Sequence, residues 1–170
     1  MTLIPSLPSA PGRTILAGVP EGYDALILAR LARLHPGRDI LFVARDDGRM
    51  ARMAELLAVF APDLPLLEFP AWDCVPYDRV SPHVEVVTRR IDTLARLAER
   101  GADAPGVMVL TAVAALAQRV PPREALSQAS LTLTPGRRLT LADLTAFLDR
   151  NGYLRADTVM DAGEYAVRGG

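Results

Sequence analysis

The chain has 170 residues, of which half are hydrophobic and 23% charged, and its formal net charge is −1. This composition predicts a folded globular protein with a sizeable core and excludes a highly charged disordered chain. The small net charge gives no bulk electrostatic basis for tight nucleic-acid binding, and the lack of lysine among the 19 basic residues excludes Schiff-base and ammonium chemistry.

The first residues, 1–11, are rich in proline and serine and lack the basic and apolar stretches of a signal peptide, so we predict a flexible N-terminal segment. No apolar run approaches the roughly 20 residues that span a bilayer. Cys74 is the single cysteine, which excludes an internal disulfide and favours a reducing compartment. With only two histidines beside it, a zinc site is unexpected. We therefore expect a cytoplasmic protein without membrane contact or bound metal.

Short apolar runs alternate with amphipathic stretches over the first two thirds of the chain. The predicted strands are 14–18, 39–44, 66–69 and 106–110, and the predicted helices are 22–34, 46–61, 81–100 and 111–118. Continuous apolar strands that alternate with helices are typical of a parallel sheet covered by helices on both faces. The pattern therefore predicts an α/β domain over residues 12–118.

Residues with helix-capping chemistry precede three of these helices. Asp46 or Asp47 can accept the first N–H groups of the second helix. Ser81, which is followed by Pro82, can do the same for the third helix, and Thr111 for the fourth. We place the starts of these helices accordingly.

The sequence pattern changes after Pro121 and Pro122, which mark a boundary. The elements predicted beyond it are a strand over 130–134, a helix from Thr140 to Asn151 and a strand pair over 153–160 and 164–169, joined through 161–163. Asp143 completes a capping box with Thr140, and Gly152 suits a left-handed helix end. We predict that residues 119–170 are the start of a small α+β domain, truncated because this unit is too small to bury its own core well.

The junction between the first predicted strand and helix lies where a phosphate-binding loop would lie. Gly18 and Gly22 could let backbone N–H groups wrap a phosphate, but Pro20 removes one donor. Asp24 and Ala25 occupy the positions where such a loop needs a lysine and a hydroxyl for magnesium. The pattern fits either an ordinary turn or a degenerate P-loop, and both predict that no nucleotide binds here.

The loop of residues 70–80 concentrates aromatic and acidic side chains, so it could be a recognition loop. The alternative, which we favour, is packing: Trp72 and Tyr77 cover the sheet edge, while Asp78 and Arg79 pair in solvent. Cys74 lacks an activating histidine or helix terminus and is expected to be inert.

The last candidate site contains Glu164, Tyr165 and Arg168. An arginine on an exposed edge suits bidentate recognition of a carboxylate on a partner. A hairpin with a surface ion pair between Glu164 and Arg168 explains the same residues equally well. The arginine pairs 89–90, 119 with 123, and 137–138 could contact phosphates, but a solvated surface is the ordinary explanation for them.

Four stretches resemble the bacterial transcription-repair coupling factor (Mfd) family: 69–82, 118–122, 152–153 and 163–169. The resemblance covers residues 14–170 and implies an N-terminal module similar to the excinuclease protein UvrB, with a P-loop-like α/β first domain. In that relative the loop binds ATP, whereas here it is degenerate. That relative also carries a long aromatic hairpin, where this chain has only the connector from Pro70 to Val80. Both departures indicate that this chain neither hydrolyses ATP nor verifies DNA damage.

The resemblance implies a docking function. In the family, the domain after the double proline binds the excinuclease protein UvrA, and Arg168 matches an arginine of that surface, whose edge Glu164 and Tyr165 are expected to shape. We therefore predict a non-enzymatic scaffold for transcription-coupled nucleotide excision repair, without catalytic residues or cofactor. Complete family members are ATP- and magnesium-dependent translocases that also bind RNA polymerase and double-stranded DNA. The alternative is a nucleotide- or DNA-binding domain of a UvrB-like or helicase-like repair protein.

Overall fold

The computed structural model describes residues 11–75, 79–161 and 163–168. Most of the segment 1–11, the pair Tyr77 and Asp78, and the end of the predicted last strand at Gly169 therefore lie outside the described residues. Proximity of Cα atoms divides the chain into two compact units, of which the first ends at Val120 and the second begins at Pro121. No helix of the described part is both long and apolar enough to cross a bilayer.

The first unit has an α/β architecture. In chain order its elements are α1 (Tyr23–Leu34), β1 (Ile40–Ala44), α2 (Asp47–Phe60), β2 (Leu66–Phe69), α3 (Val84–Glu99), β3 (Met108–Ala112) and α4 (Val113–Leu116). The strands form one parallel sheet in the order β1–β3–β2, with Ile40 and Leu66 both in register with Met108. The predicted fold class, a parallel sheet flanked by helices, is confirmed.

The main core lies between one face of this sheet and the helices α1 and α2. The buried alanines of α1 recur at helical spacing, and their small side chains let the helix approach the sheet closely. Met53 and Leu57 of α2 and Leu110 of the central strand β3 are fully buried. Burial of side chains of this size contributes about 1.5–3 kcal/mol each to stability, so this layer is the main source of stability in the unit.

The opposite face of the sheet is covered by α3, which packs on β2. Thr93 of α3 is buried, and its hydroxyl donates a 2.6 Å hydrogen bond to the Glu68 carbonyl oxygen. Phe69 forms a small second cluster on this face with Leu94, Val109 and other apolar side chains. Because successive strand residues point to opposite faces, the two clusters use alternate positions of the same strands.

The strand predicted over residues 14–18 is wrong, since this segment has no regular secondary structure. Within this segment the side chain of Ile15 is 72% exposed. An apolar run becomes a strand only where a neighbouring edge accepts its hydrogen bonds and its side chains become buried. Residues 14–18 pair with no strand edge of the described structure, and their apolar composition alone could not reveal this.

Of the predicted helix caps, Asp46 is confirmed, whereas Ser81 and Thr111 are wrong. Asp46 does cap α2, because its carboxylate accepts a 2.7 Å bond from the Arg49 N–H, which lowers the pKa of Asp46. Ser81 does not cap α3, whose N-cap is His83. Thr111 does not cap α4 either, since it belongs to β3 and its hydroxyl donates a 2.7 Å bond to the Phe69 carbonyl oxygen.

The second unit contains α5 (Arg123–Ala129), α6 (Leu141–Arg150), β4 (Leu154–Arg155) and β5 (Glu164–Tyr165). The predicted Thr140 cap of α6 is confirmed, because the Thr140 hydroxyl accepts a bond from the Asp143 N–H. The Asp143 carboxylate accepts from the same hydroxyl and not from the Thr140 N–H, which a capping box would use. The helix ends in a Schellman motif, with Tyr153 donating to the Leu148 carbonyl oxygen and Gly152 at φ 80°. None of the described residues of this unit is classed as buried.

Two expectations for the second unit are wrong, and one helix was not predicted. Residues 130–134 form no strand, because no neighbouring edge pairs with this alternating segment. The helix α5 was not predicted. Strands β4 and β5 are parallel, with Leu154 opposite Glu164, so the segment between them is a crossover and not a hairpin turn.

Candidate functional site

The residues of the predicted degenerate loop lie at the start of α1. Gly22 is the N-cap of α1, with φ 88°, and Gly18 precedes it in irregular structure. The Asp24 carboxylate accepts hydrogen bonds from the N–H groups of Gly22, at 3.2 Å, and of Ala25, at 3.0 Å. The methyl group of Ala25 is buried in the main core. Two of the N–H groups that could hold a phosphate are thus satisfied by a carboxylate of the chain itself.

Arg49 of α2 completes this cluster. Its guanidinium donates to the Asp24 carboxylate and lies 4.0 Å from that of Glu21. A phosphate that approached the start of α1 would have to displace Asp24 and would meet two carboxylates instead of a lysine. The start of α1 is therefore occupied by ion pairs formed within the chain.

A cleft of about 730 Å³ opens beside this loop and is lined by residues of α1, β1 and the segment 14–20. Its lining includes apolar side chains such as Leu31 and Phe42, and the arginines Arg45 and Arg49. Both arginines are engaged by acids, since the Arg45 guanidinium lies 3.0 Å from the Asp46 carboxylate. The Nη1 nitrogen of Arg49 is buried and has no hydrogen-bond partner among the described residues, although it lies 4.0 Å from the Glu21 carboxylate.

The loop after β2 is held by a buried arginine that the sequence analysis assigned to a solvated surface. Arg90 of α3 is 2% exposed, and its guanidinium lies 4.1 Å from the ring centroids of both Phe69 and Trp72. It also donates a 2.5 Å bond to the Pro70 carbonyl oxygen. Burial lowers the pKa of Arg90. The position of Trp72 favours the packing interpretation of this loop, and Arg90 is too buried to contact phosphates.

A helical pattern in the sequence could have revealed this role. Arg90 lies four residues after Val86 and three before Thr93, on the side of α3 that faces the sheet. Two carboxylates fix the same loop: Asp47 accepts a 3.0 Å bond from the Ala71 N–H, and Asp73 accepts 3.2 Å bonds from the His83 N–H. The described part of the loop is therefore closely tied to the domain.

The predicted partner-binding residues of the second unit surround one loop, residues 157–161. The Glu164 carboxylate accepts bonds from the N–H groups of Met160, at 2.9 Å, and of Asp161, at 3.2 Å. These hydrogen bonds lower the pKa of Glu164. The Arg168 guanidinium donates to the Asp157 carbonyl oxygen at 3.1 Å and to the Thr158 hydroxyl at 2.8 Å.

Tyr165 connects this region to α6. Its hydroxyl donates a 2.7 Å bond to the Asp149 carboxylate, and this bond raises the pKa of Tyr165. The hairpin interpretation, with an ion pair between Glu164 and Arg168, is wrong, because both side chains hold the 157–161 loop instead. Among the residues that the structure describes, no cluster of histidine, cysteine, aspartate or glutamate could hold a metal ion.

No family model matches the chain. The transcription-repair-coupling factor of Escherichia coli (strain K12) is 32% identical over 167 residues, which cover 96% of this chain and 14% of that protein. The protein of the same name from Haemophilus influenzae is 31% identical over 169 residues, or 97% of this chain and 14% of the relative. That of Mycobacterium bovis is 34% identical over 154 residues, or 89% and 12%.

These relatives share one name, and the match extends through both units of the chain. The chain spans about a seventh of the length of the curated relatives that it matches. The chain belongs to the transcription-repair-coupling factor family, as the counterpart of one segment of its members.

Proposed function

We propose that this chain is a recruitment scaffold in transcription-coupled nucleotide excision repair, which docks the excinuclease protein UvrA and has no ATPase activity of its own. The observation that carries the proposal is the arrangement of Glu164, Tyr165 and Arg168. Each side chain uses its polar group to fix the backbone or α6, at the surface of a unit with little buried structure. A surface that is already ordered loses less conformational entropy on binding, which suits it to docking a partner.

The start of α1 supports the absence of ATPase activity. Asp24 satisfies N–H groups that a nucleotide phosphate would need, and Ala25 has no hydroxyl for magnesium. No lysine exists anywhere in the chain to contact the terminal phosphates. A chain with this loop is suited to a structural role and not to ATP hydrolysis.

The activities of a complete family member belong, in this proposal, to other parts of such a protein. The chain corresponds to 12–14% of the length of its relatives. We assign ATP- and magnesium-dependent movement on double-stranded DNA and the binding of RNA polymerase to the remaining length. The contribution of this chain is then to link repair proteins to that assembly.

The test is a binding titration of purified UvrA against the 170-residue chain and its Arg168→Ala variant. We expect saturable binding that weakens by about 30-fold in the variant, because the 157–161 loop loses the bonds by which Arg168 holds Asp157 and Thr158 in the ordered surface. Arg138→Ala, which removes another exposed arginine of the second unit, is the matched control and should leave the affinity unchanged. Equal affinities of wild type and Arg168→Ala would contradict the assignment of Arg168, provided that circular dichroism shows all three proteins folded.

A further inference from the structure

The 157–161 loop presents two adjacent apolar side chains to solvent. Met160 is 81% exposed, the highest value among the large hydrophobic side chains of the described residues, and Val159 is 51% exposed. Single exposed apolar residues are ordinary on protein surfaces. Val159 and Met160 differ from such single residues, because they are adjacent and belong to a loop whose backbone is held by other side chains.

Polar anchors hold the loop on both sides of this pair. On one side, Arg168 donates to the Asp157 carbonyl oxygen and the Thr158 hydroxyl. On the other, Glu164 accepts the N–H groups of Met160 and Asp161. A loop that only joined β4 to β5 would not need two long side chains ordered against it, since ordering them costs conformational entropy.

We propose that Val159 and Met160 are the direct contact of the docking surface and insert into an apolar pocket on the partner protein. This inference rests on the proposed function and names the part of the surface that binds. Glu164 and Arg168 then act as positioning residues, which hold the apolar pair in its binding geometry. Methionine suits this contact because its unbranched, polarisable side chain adapts to the shape of a pocket.

The charged groups around Val159 and Met160 indicate which charge the rim of the partner's pocket should carry. The loop and its two anchors carry three carboxylates, those of Asp157, Asp161 and Glu164, and one guanidinium, that of Arg168. Hydrogen bonds lower the pKa of Glu164, and its carboxylate is ionised at neutral pH, as that of an ordinary glutamate also is. The net negative charge fits a partner pocket with a basic rim, because opposite potentials favour association.

The experiment compares the binding of UvrA to the full chain and to three variants: Met160→Asp, Met160→Ala and the control Val59→Asp. Val59 is 74% exposed on α2 in the first unit, so its variant places the same charge at a similarly exposed site. We expect Met160→Ala to weaken binding about tenfold and Met160→Asp at least 100-fold, whereas Val59→Asp binds as wild type.

The outcomes separate this inference from the proposed function. Wild-type binding with both Met160 variants within about twofold of it would overturn the inference and leave the proposed function standing. A folded wild-type chain that does not bind would overturn both. Met160→Ala serves as the second variant if the charge of Met160→Asp disturbs the loop.

Glu164→Ala should weaken binding and Glu164→Gln, which retains an acceptor oxygen, should restore it; equal losses in both would contradict the positioning role of Glu164.

Discussion

The guanidinium of Arg90 lies 4.1 Å from the ring centroid of Trp72, while Phe69 provides a second ring at the same distance. An arginine that is 2% exposed has lost its hydration and needs such partners. The carbonyl oxygen of Pro70 supplies a further one. The Arg90 guanidinium therefore connects helix α3 to the loop after β2.

Replacement of Arg90 by alanine should destabilise the chain by about 2–4 kcal/mol, since a charge-assisted hydrogen bond and two ring contacts are lost. Arg90→Lys should recover little of this stability, because an ammonium group cannot stack between two rings as the planar guanidinium does. Urea unfolding measures both effects. The control is Arg89→Ala, which removes a half-exposed arginine paired with Glu68 and Glu85 and should cost less than about 1 kcal/mol. Equal losses at the two positions would contradict the role of Arg90.

Gly106 is expected to tolerate no side chain. A Cβ atom at this position would lie 2.3 Å from the Arg38 carbonyl oxygen and 2.8 Å from that of Pro36, which are backbone atoms. Gly106→Ala should therefore lower the free energy of unfolding by about 1–3 kcal/mol, because the segment before β3 must shift. Gly101→Ala is the matched control, since nothing lies within 4 Å of its added Cβ. A thermal melt in which both variants resemble wild type would show that the backbone at Gly106 adapts freely.

Some features that depend on neighbouring residues in the sequence were predictable: the Asp46 and Thr140 caps and the three strands of the sheet follow from local chemistry and apolar runs. The same local rules failed at Ser81 and Thr111, since the N-cap of α3 is His83 and Thr111 belongs to β3. Whether an apolar run becomes a strand depends on a distant edge, and this is why the prediction for 14–18 failed. The parallel pairing of Leu154 with Glu164 is equally non-local.

The sequence predicted which residues form the candidate site but not how their side chains are arranged. The sequence singled out Glu164 and Arg168 but left two interpretations open, recognition of a partner or a hairpin with an ion pair, whereas in the structure both side chains bind the backbone of the 157–161 loop. Met160 was not singled out, because one exposed methionine in a sequence carries no signal until its backbone partners are known. The prediction that Asp24 stands where a phosphate-binding loop needs a lysine concerned its position alone, and its bonds to Gly22 and Ala25 could not be derived from the sequence.

The order of the 157–161 loop should depend on acidic pH. Hydrogen bonds from Met160 and Asp161 lower the pKa of Glu164 from its ordinary value of 4.5. A carboxyl group with a lowered pKa contributes stability that is present above 4.5 and is lost as the pH falls through the folded-state value. The Met160 amide resonance should accordingly titrate with a midpoint below 4.5 in wild type and stay constant in Glu164→Gln. A Met160 resonance that titrates alike in both proteins would show that another group is responsible.

The last prediction concerns Asp24, which we expect to stabilise the fold without any role in nucleotide binding. Asp24→Ala removes the bonds to Gly22 and Ala25 and leaves Arg49, whose side chain is 18% exposed, without its closest acid. The loss of two hydrogen bonds at the start of α1 and of a partly buried ion pair should cost about 1–3 kcal/mol in urea unfolding. Glu21→Ala, 4.0 Å from Arg49 and largely exposed, should cost less than about 1 kcal/mol.

An ATP titration of the same proteins distinguishes stabilisation from blocking. If Asp24 only excluded phosphate from a working site, its removal would create saturable ATP binding. We expect none at submillimolar concentration in wild type or in Asp24→Ala, because the chain has no lysine for the terminal phosphates and Ala25 cannot hold magnesium. Saturable binding that appears in Asp24→Ala would mean that the start of α1 retains a nucleotide site and that one carboxylate keeps it closed. Unchanged stability of Asp24→Ala in urea would separately remove the structural role that its bonds to α1 and Arg49 assign to this carboxylate.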